Sequence, residues 1–93
     1  EVEEFLIKID QIEQAYVFGV PDKTYGEIVG CWVKLEKNKI ISENEIENKC
    51  KNKIASFKIP SFFRIVDEFP MTASGKVQKF KMSEKEIALK INK

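Results

Sequence analysis

The residues most able to do chemistry lie near the C-terminal end, in Phe69-Pro70-Met71-Thr72-Ala73-Ser74-Gly75-Lys76-Val77-Gln78-Lys79-Phe80-Lys81. Pro70 fixes the direction of the chain, Thr72 and Ser74 supply hydroxyls, and Gly75 permits backbone angles that a side chain would forbid. Lys76 follows directly, and apolar Val77 re-anchors the chain behind it. The pattern predicts a flexible, polar loop with one ammonium at its tip, able to enter another surface and withdraw. Such a cation would act on anionic charge.

Gly75-Lys76 also invites comparison with the nucleotide-binding loop GxxxxGK[ST], and the residues argue against it. Pro70 stands where the first glycine belongs and Val77 replaces the hydroxyl, so the backbone N–H groups cannot wrap a phosphate. Little else in the chain can catalyse. Histidine is absent, which removes Ser-His and Cys-His nucleophilic pairs and most zinc sites. Cys31 lies in an apolar run and Cys50 on a helix face, without a CxxC partner, so both read as buried small hydrophobes. That usage suits a reducing cytoplasm, and no structural metal is expected.

The elements that must position Lys76 follow from periodicity. Val2, Phe5, Leu6 and Ile9 predict an amphipathic helix over residues 1–10. Ala15 to Val20 reads as a strand closed by Pro21-Asp22, and Ile28 to Leu35 as a second strand. The loop between them, Pro21 to Glu27, is too short for a crossover helix, so the pair is antiparallel. Ser42 and Glu45 form a capping box, followed by Ile46, Cys50 and Ile54 at helical spacing. Phe62 to Val66 gives a third strand after Pro60. Ser83 and Glu86 read as a second capping box, with Ile87 and Ile91 on one face of a terminal helix. Trp32, Phe62 and Phe63 belong to the core. The fold class expected is α+β: a small antiparallel or mixed three-stranded sheet covered by two to three helices, with a mobile lysine loop near the C-terminus.

Ninety-three residues make one small domain, and 43% hydrophobic content argues against global disorder. The net charge of +1 is unevenly spread: residues 1–48 carry five lysines against eleven acids, and residues 49–93 eleven bases against four acids. The basic part contains the lysine loop, so phosphate-bearing partners fit there. No segment is long and apolar enough to span a bilayer, and no signal-peptide pattern appears. The first residue is glutamate, which points to a piece of a longer chain.

Three stretches resemble the small C-terminal domain of the adenylate-forming ligases, the superfamily of acyl-CoA synthetases, peptide-synthetase adenylation domains and luciferases. Val17-Phe18-Gly19-Val20-Pro21-Asp22 with Tyr25-Gly26-Glu27 is similar to the family's VxGVPD…GE turn. Ala55-Ser56-Phe57-Lys58-Ile59-Pro60 is similar to its A-x-[YF]-K-x-P signature, and Pro70 to Lys76 to its PxxxxGK motif. Glu1-Val2-Glu3 is similar to the residues just after the interdomain hinge. The combination looks most like the fatty-acyl and medium-chain acyl-CoA ligase branch.

The resemblance implies a lid that rotates between two half-reactions. A carboxylic acid first attacks ATP, with Mg²⁺ present, to give an acyl-adenylate and pyrophosphate. Coenzyme A then displaces AMP. Lys76 is implied to serve adenylation, with Pro70, Thr72, Ser74 and Gly75 positioning its loop. Tyr25 and Gly26 match residues lining the pantetheine tunnel, and Phe57 one that meets the nucleotide portion of CoA, with Lys58 as a phosphate neighbour. Ile59 and Ser61 stand where some relatives carry basic residues. The large N-terminal domain that would hold ATP, Mg²⁺ and the fatty acid is not in this sequence, so the piece should fold but not catalyse. The competing readings are a small basic nucleic-acid-binding module stacking bases on Phe57, Phe62 and Phe63, and a non-catalytic protein-interaction domain.

Overall fold

The computed structural model describes residues 2–91, so the expected roles of Glu1 and of the Ile91 side chain lie outside the described residues. The order of elements is α1 (Val2–Ile7), β1 (Ile12–Asp22), β2 (Gly26–Leu35), α2 (Glu43–Lys53), a single 3₁₀ turn (Ser56–Lys58), β3 (Phe62–Ile65) and α3 (Lys79–Ile91). Three strands in the order β1-β2-β3 form one mixed sheet. β1 and β2 pair antiparallel, with Tyr16 opposite Trp32 and Asp22 opposite Gly26, whereas β2 and β3 run parallel, with Cys31 opposite Phe63. The parallel pairing follows from α2, which carries the chain back between β2 and β3.

Side chains alternate across the strands, and both faces of the sheet are covered. Ala15, Val17, Cys31, Val33 and Phe63 turn toward Leu6, Ile46, Cys50 and Ile54 of the α1 and α2 layer. Tyr16, Phe18, Val20, Trp32 and Phe62 turn the other way, against Met82 and Ile87 of α3. Gly30 is needed on that second face, because a Cβ there would lie 2.2 Å from the Phe62 ring. The expected assignment of Trp32, Phe62 and Phe63 to the core is met, with Trp32 and Phe63 buried and Phe62 packed on the α3-side cluster.

The strands run further than expected: β1 continues through Pro21 and Asp22, which pair with Glu27 and Gly26 instead of closing the strand, so the turn is only residues 23–25. Two helix boundaries also differ from expectation. α1 stops at Ile7 instead of residue 10, since the Lys8 and Ile9 N–H groups donate to carbonyls three residues back and tighten the chain into β1. α3 begins at Lys79, so Ser83 and Glu86 lie inside the helix and form no capping box. Burial of Met82 against the sheet fixes the first turn of α3, and this packing outweighs the local capping signal. The first box behaves as expected. Ser42 Oγ accepts from the Glu45 N–H at 3.1 Å, and Glu45 Oε1 accepts from the Ser42 N–H at 3.3 Å.

Candidate functional site

Pro70 to Gln78, the stretch expected to form a polar loop with Lys76 at its tip, is folded as a tight hairpin. Met71 and Val77 form an antiparallel bridge. Gln78 N–H donates to the Pro70 carbonyl at 2.8 Å, and Thr72 N–H to the Lys76 carbonyl at 2.8 Å. The turn closes with Gly75 N–H donating to the Thr72 carbonyl at 2.9 Å. Gly75 takes φ +87°, in the left-handed region that a three-residue hairpin loop requires. Thr72 Oγ1 accepts from the Lys76 N–H at 3.0 Å and lies 3.0 Å from Ser74 Oγ. The two hydroxyls therefore hold the turn. Val77 and Phe69 seat the base of the hairpin on the α3-side core, where Phe69 meets Tyr16 edge-on at 4.8 Å between ring centroids.

The Lys76 side chain is exposed at the end of this hairpin, with no ion-pair or hydrogen-bond partner for its ammonium among the described residues. A hydrogen-bonded base with a cation unengaged among the described residues at its tip can insert charge into a second surface without first breaking an internal pair.

The β1–β2 hairpin has the same construction. Asp22 Oδ2 accepts from the Thr24 and Tyr25 N–H groups, each at 3.0 Å, and Gly26 takes φ +81°. This Asx-type turn carries the Tyr25 ring outward with 78% of its surface exposed. Phe57, on the 3₁₀ turn, is 84% exposed, with Lys58 Nζ 5.8 Å from its ring centroid. Neither aromatic packs in the core.

Between these features runs an open groove of about 440 Å³ lined by Val2, Glu3, Val17, Val29, Phe57, Lys58 and Lys79. Beside it, Gly19, Pro21 and Glu27 line a second groove of about 600 Å³ with Phe80 and Ser83. A Cβ on Gly19 would lie 2.7 Å from the Glu27 carboxylate, which spreads over the glycine. Val17 and Lys79 line both grooves, so Phe57 and Lys58 border one end of a surface whose other end is the Gly19–Glu27 turn.

Two charged clusters escaped sequence reasoning. Glu3 Oε2 accepts from the Val17 N–H at 2.7 Å and from Lys79 Nζ at 2.8 Å. Partial burial alone would raise its pKa, but the Lys79 and Val17 hydrogen bonds outweigh it and hold the carboxyl below its ordinary value. Glu86 is 4% exposed and accepts from the Trp32 indole N–H at 2.7 Å and, with both oxygens, from the Arg64 guanidinium, the Nη2 bond being 2.9 Å. That two-pronged bond holds the Arg64 pKa above its ordinary value. Both pairs join residues far apart in sequence, so spacing gives no signal for them. The cysteines are buried as expected, and burial first, then the neighbouring Cys50 and Glu3, pushes the Cys31 thiol up to about 12. No three metal-ligating side chains converge among the described residues, and no described helix is long and apolar enough to cross a membrane.

Residues 1–76 match the family model of the AMP-binding enzyme C-terminal domain. The chain belongs to this family. It is 45% identical over 89 residues to YngI of Bacillus subtilis (strain 168), covering 96% of this chain and 16% of YngI. It is 42% identical over 84 residues to the mitochondrial medium-chain acyl-CoA ligase ACSF2 of Rattus norvegicus, covering 90% of this chain and 14% of that protein. The fold superposes on a fatty acyl CoA synthetase from Mycobacterium tuberculosis with TM-score 0.85 at 28% identity, over 96% of this chain and 18% of that one. The chain thus spans about a sixth of the length of the curated relatives it matches. This membership takes the place of the nucleic-acid-binding reading, and the fold is the α+β architecture expected from the order of elements, a three-stranded mixed sheet with three helices.

Proposed function

We propose that this C-terminal domain is the moving lid of an ATP-dependent ligase that joins a fatty or medium-chain acid to coenzyme A. It would work within a longer protein whose N-terminal domain binds ATP, with its Mg²⁺, and the acid. In adenylation, negative charge gathers on the carboxylate, the bridging oxygen and the α-phosphate. The Lys76 ammonium, inserted among them in a site closed to water, stabilises the transition state more than the ground state. The chain then turns its other surface to the reaction. Tyr25 and Gly26 border the path of the pantetheine arm, Phe57 offers a face for the nucleotide portion of CoA, and Lys58 meets a phosphate.

The observation that carries this reading is Lys76 itself, exposed at the tip of an ordered hairpin with its ammonium unengaged among the described residues. Exposed Tyr25 and Phe57 support the second role, because aromatic rings lose hydrophobic free energy in water unless something covers them. In the full-length enzyme, Lys76→Ala is expected to slow adenylate formation by about 10²–10³-fold, equivalent to about 2.7–4 kcal/mol. Thioester formation from supplied acyl-adenylate should be largely retained. Pyrophosphate release and CoA thiol consumption, measured separately, check this, and equal loss in both would refute the role. The isolated chain should yield no acyl-CoA.

A further inference from the structure

The Glu3–Lys79 pair stands between the lysine hairpin and the groove bordered by Phe57 and Lys58. Glu3 lies in α1, Val17 in edge strand β1, and Lys79 is the first residue of α3. The Glu3 carboxylate binds the Val17 N–H and Lys79 Nζ at the same time, through Oε2. Gln78, one residue before Lys79, closes the lysine hairpin through its N–H bond to Pro70. Glu3 and Lys79 also both line the groove bordered by Phe57 and Lys58. The pair adds a directional polar tie between the start of α3 and the β1 edge, beside the apolar anchoring by Met82 and Val77.

We propose that Glu3 is a positioning residue for the adenylation lysine, acting through Lys79. By bonding the first residue of α3 to the β1 edge, it fixes the direction in which the hairpin projects Lys76, relative to the Phe57–Lys58 surface. Shifts of about 1 Å at a reacting cation cost rate steeply, even when the responsible group never touches substrate. The inference rests on the reading of Lys76 given above.

The test uses the full-length enzyme carrying Glu3→Gln, Lys79→Met or both, with Lys76→Ala alongside. Glutamine keeps an oxygen for the Val17 N–H while removing the charge that holds Lys79. Each single variant is expected to slow adenylation by about 3–10-fold at saturating ATP and acid, and the double variant by no more than either single, because both remove one interaction. The ratio of adenylation to thioester formation should fall with it, and Lys79→Arg should restore that ratio. Additive losses in the double variant would overturn the proposal. So would parallel loss of both half-reactions together with a lowered Tm, which would mark Glu3 as a stability residue only. If Lys76→Ala slows adenylation while Glu3→Gln leaves it unchanged, this inference fails and the lysine assignment stands. If Lys76→Ala itself has no effect, the assignment beneath it fails.

Discussion

Lys76 and Glu86 are opposite uses of a charged side chain. Lys76 is exposed and unengaged among the described residues, whereas Glu86 is buried and satisfied by Trp32 and Arg64. The Arg64 side chain remains 42% exposed, so water screens part of that pair and its worth lies mainly in satisfying buried groups. Truncating Glu86 would leave the Trp32 indole N–H in an apolar layer without an acceptor. Glu86→Ala is therefore expected to destabilise the domain by about 1–3 kcal/mol, a fall in Tm on the order of 5–15 °C in a chain of this size. Glu86→Gln keeps one acceptor and should lose less. Thermal unfolding followed by circular dichroism compares the two, and a wild-type Tm for Glu86→Ala would contradict the assignment.

The two hairpins show how short elements present single side chains. In each, a hydrogen-bonding side chain (Asp22 or Thr72) grips a backbone N–H across the turn, and a glycine with positive φ completes it. A Cβ at Gly75 would meet nothing within 4 Å, so a substitution there is opposed by backbone angle alone. An alanine held in the left-handed region costs about 1–2 kcal/mol, partly offset by about 0.4–1 kcal/mol from a less flexible unfolded chain. Gly75→Ala is expected to lose about 1 kcal/mol net, and Gly75→Asn less, because asparagine tolerates this conformation. Urea unfolding ranks the three, and alanine equal to glycine would mean that the turn lacks this backbone geometry.

Across the whole molecule, stability should respond to pH from both sides. The Glu3 carboxyl is held below its ordinary value of 4.5 in the folded chain. Its contribution is therefore complete above that value and is lost as pH falls through the lower folded value. Acid unfolding should be shallower in Glu3→Gln, since that group no longer titrates. Cys31 works in the opposite sense, with its folded pKa raised from 9.0 to about 12. The unfolded thiol ionises near 9 while the folded one stays neutral, so stability falls as pH rises from about 9 toward 12. Denaturant midpoints across pH check both limbs. A Cys31→Ser variant that keeps the full alkaline slope would remove the thiol as its source.

How much of this was legible beforehand depends on the range of the interaction. The α2 capping box, the antiparallel pairing of β1 with β2 and the need for a glycine at position 75 are set by neighbours a few residues apart, and the residues alone indicate them. The extent of the family resemblance, carried by the order of three short motifs, was also present in the residues themselves. Tertiary packing decided the rest. Burial of Met82 started α3 at Lys79 and turned Glu86, read locally as a cap, into an acceptor for Trp32 and Arg64. The Glu3–Lys79 pair spans 76 residues, and the exposure of Phe57 and Tyr25 follows from turns that project them away from both core clusters. A sequence specifies local hydrogen bonds directly, because chain geometry brings their partners together. It specifies distant charge pairs and exposed faces only through the completed fold, where many weak contacts jointly decide which groups meet.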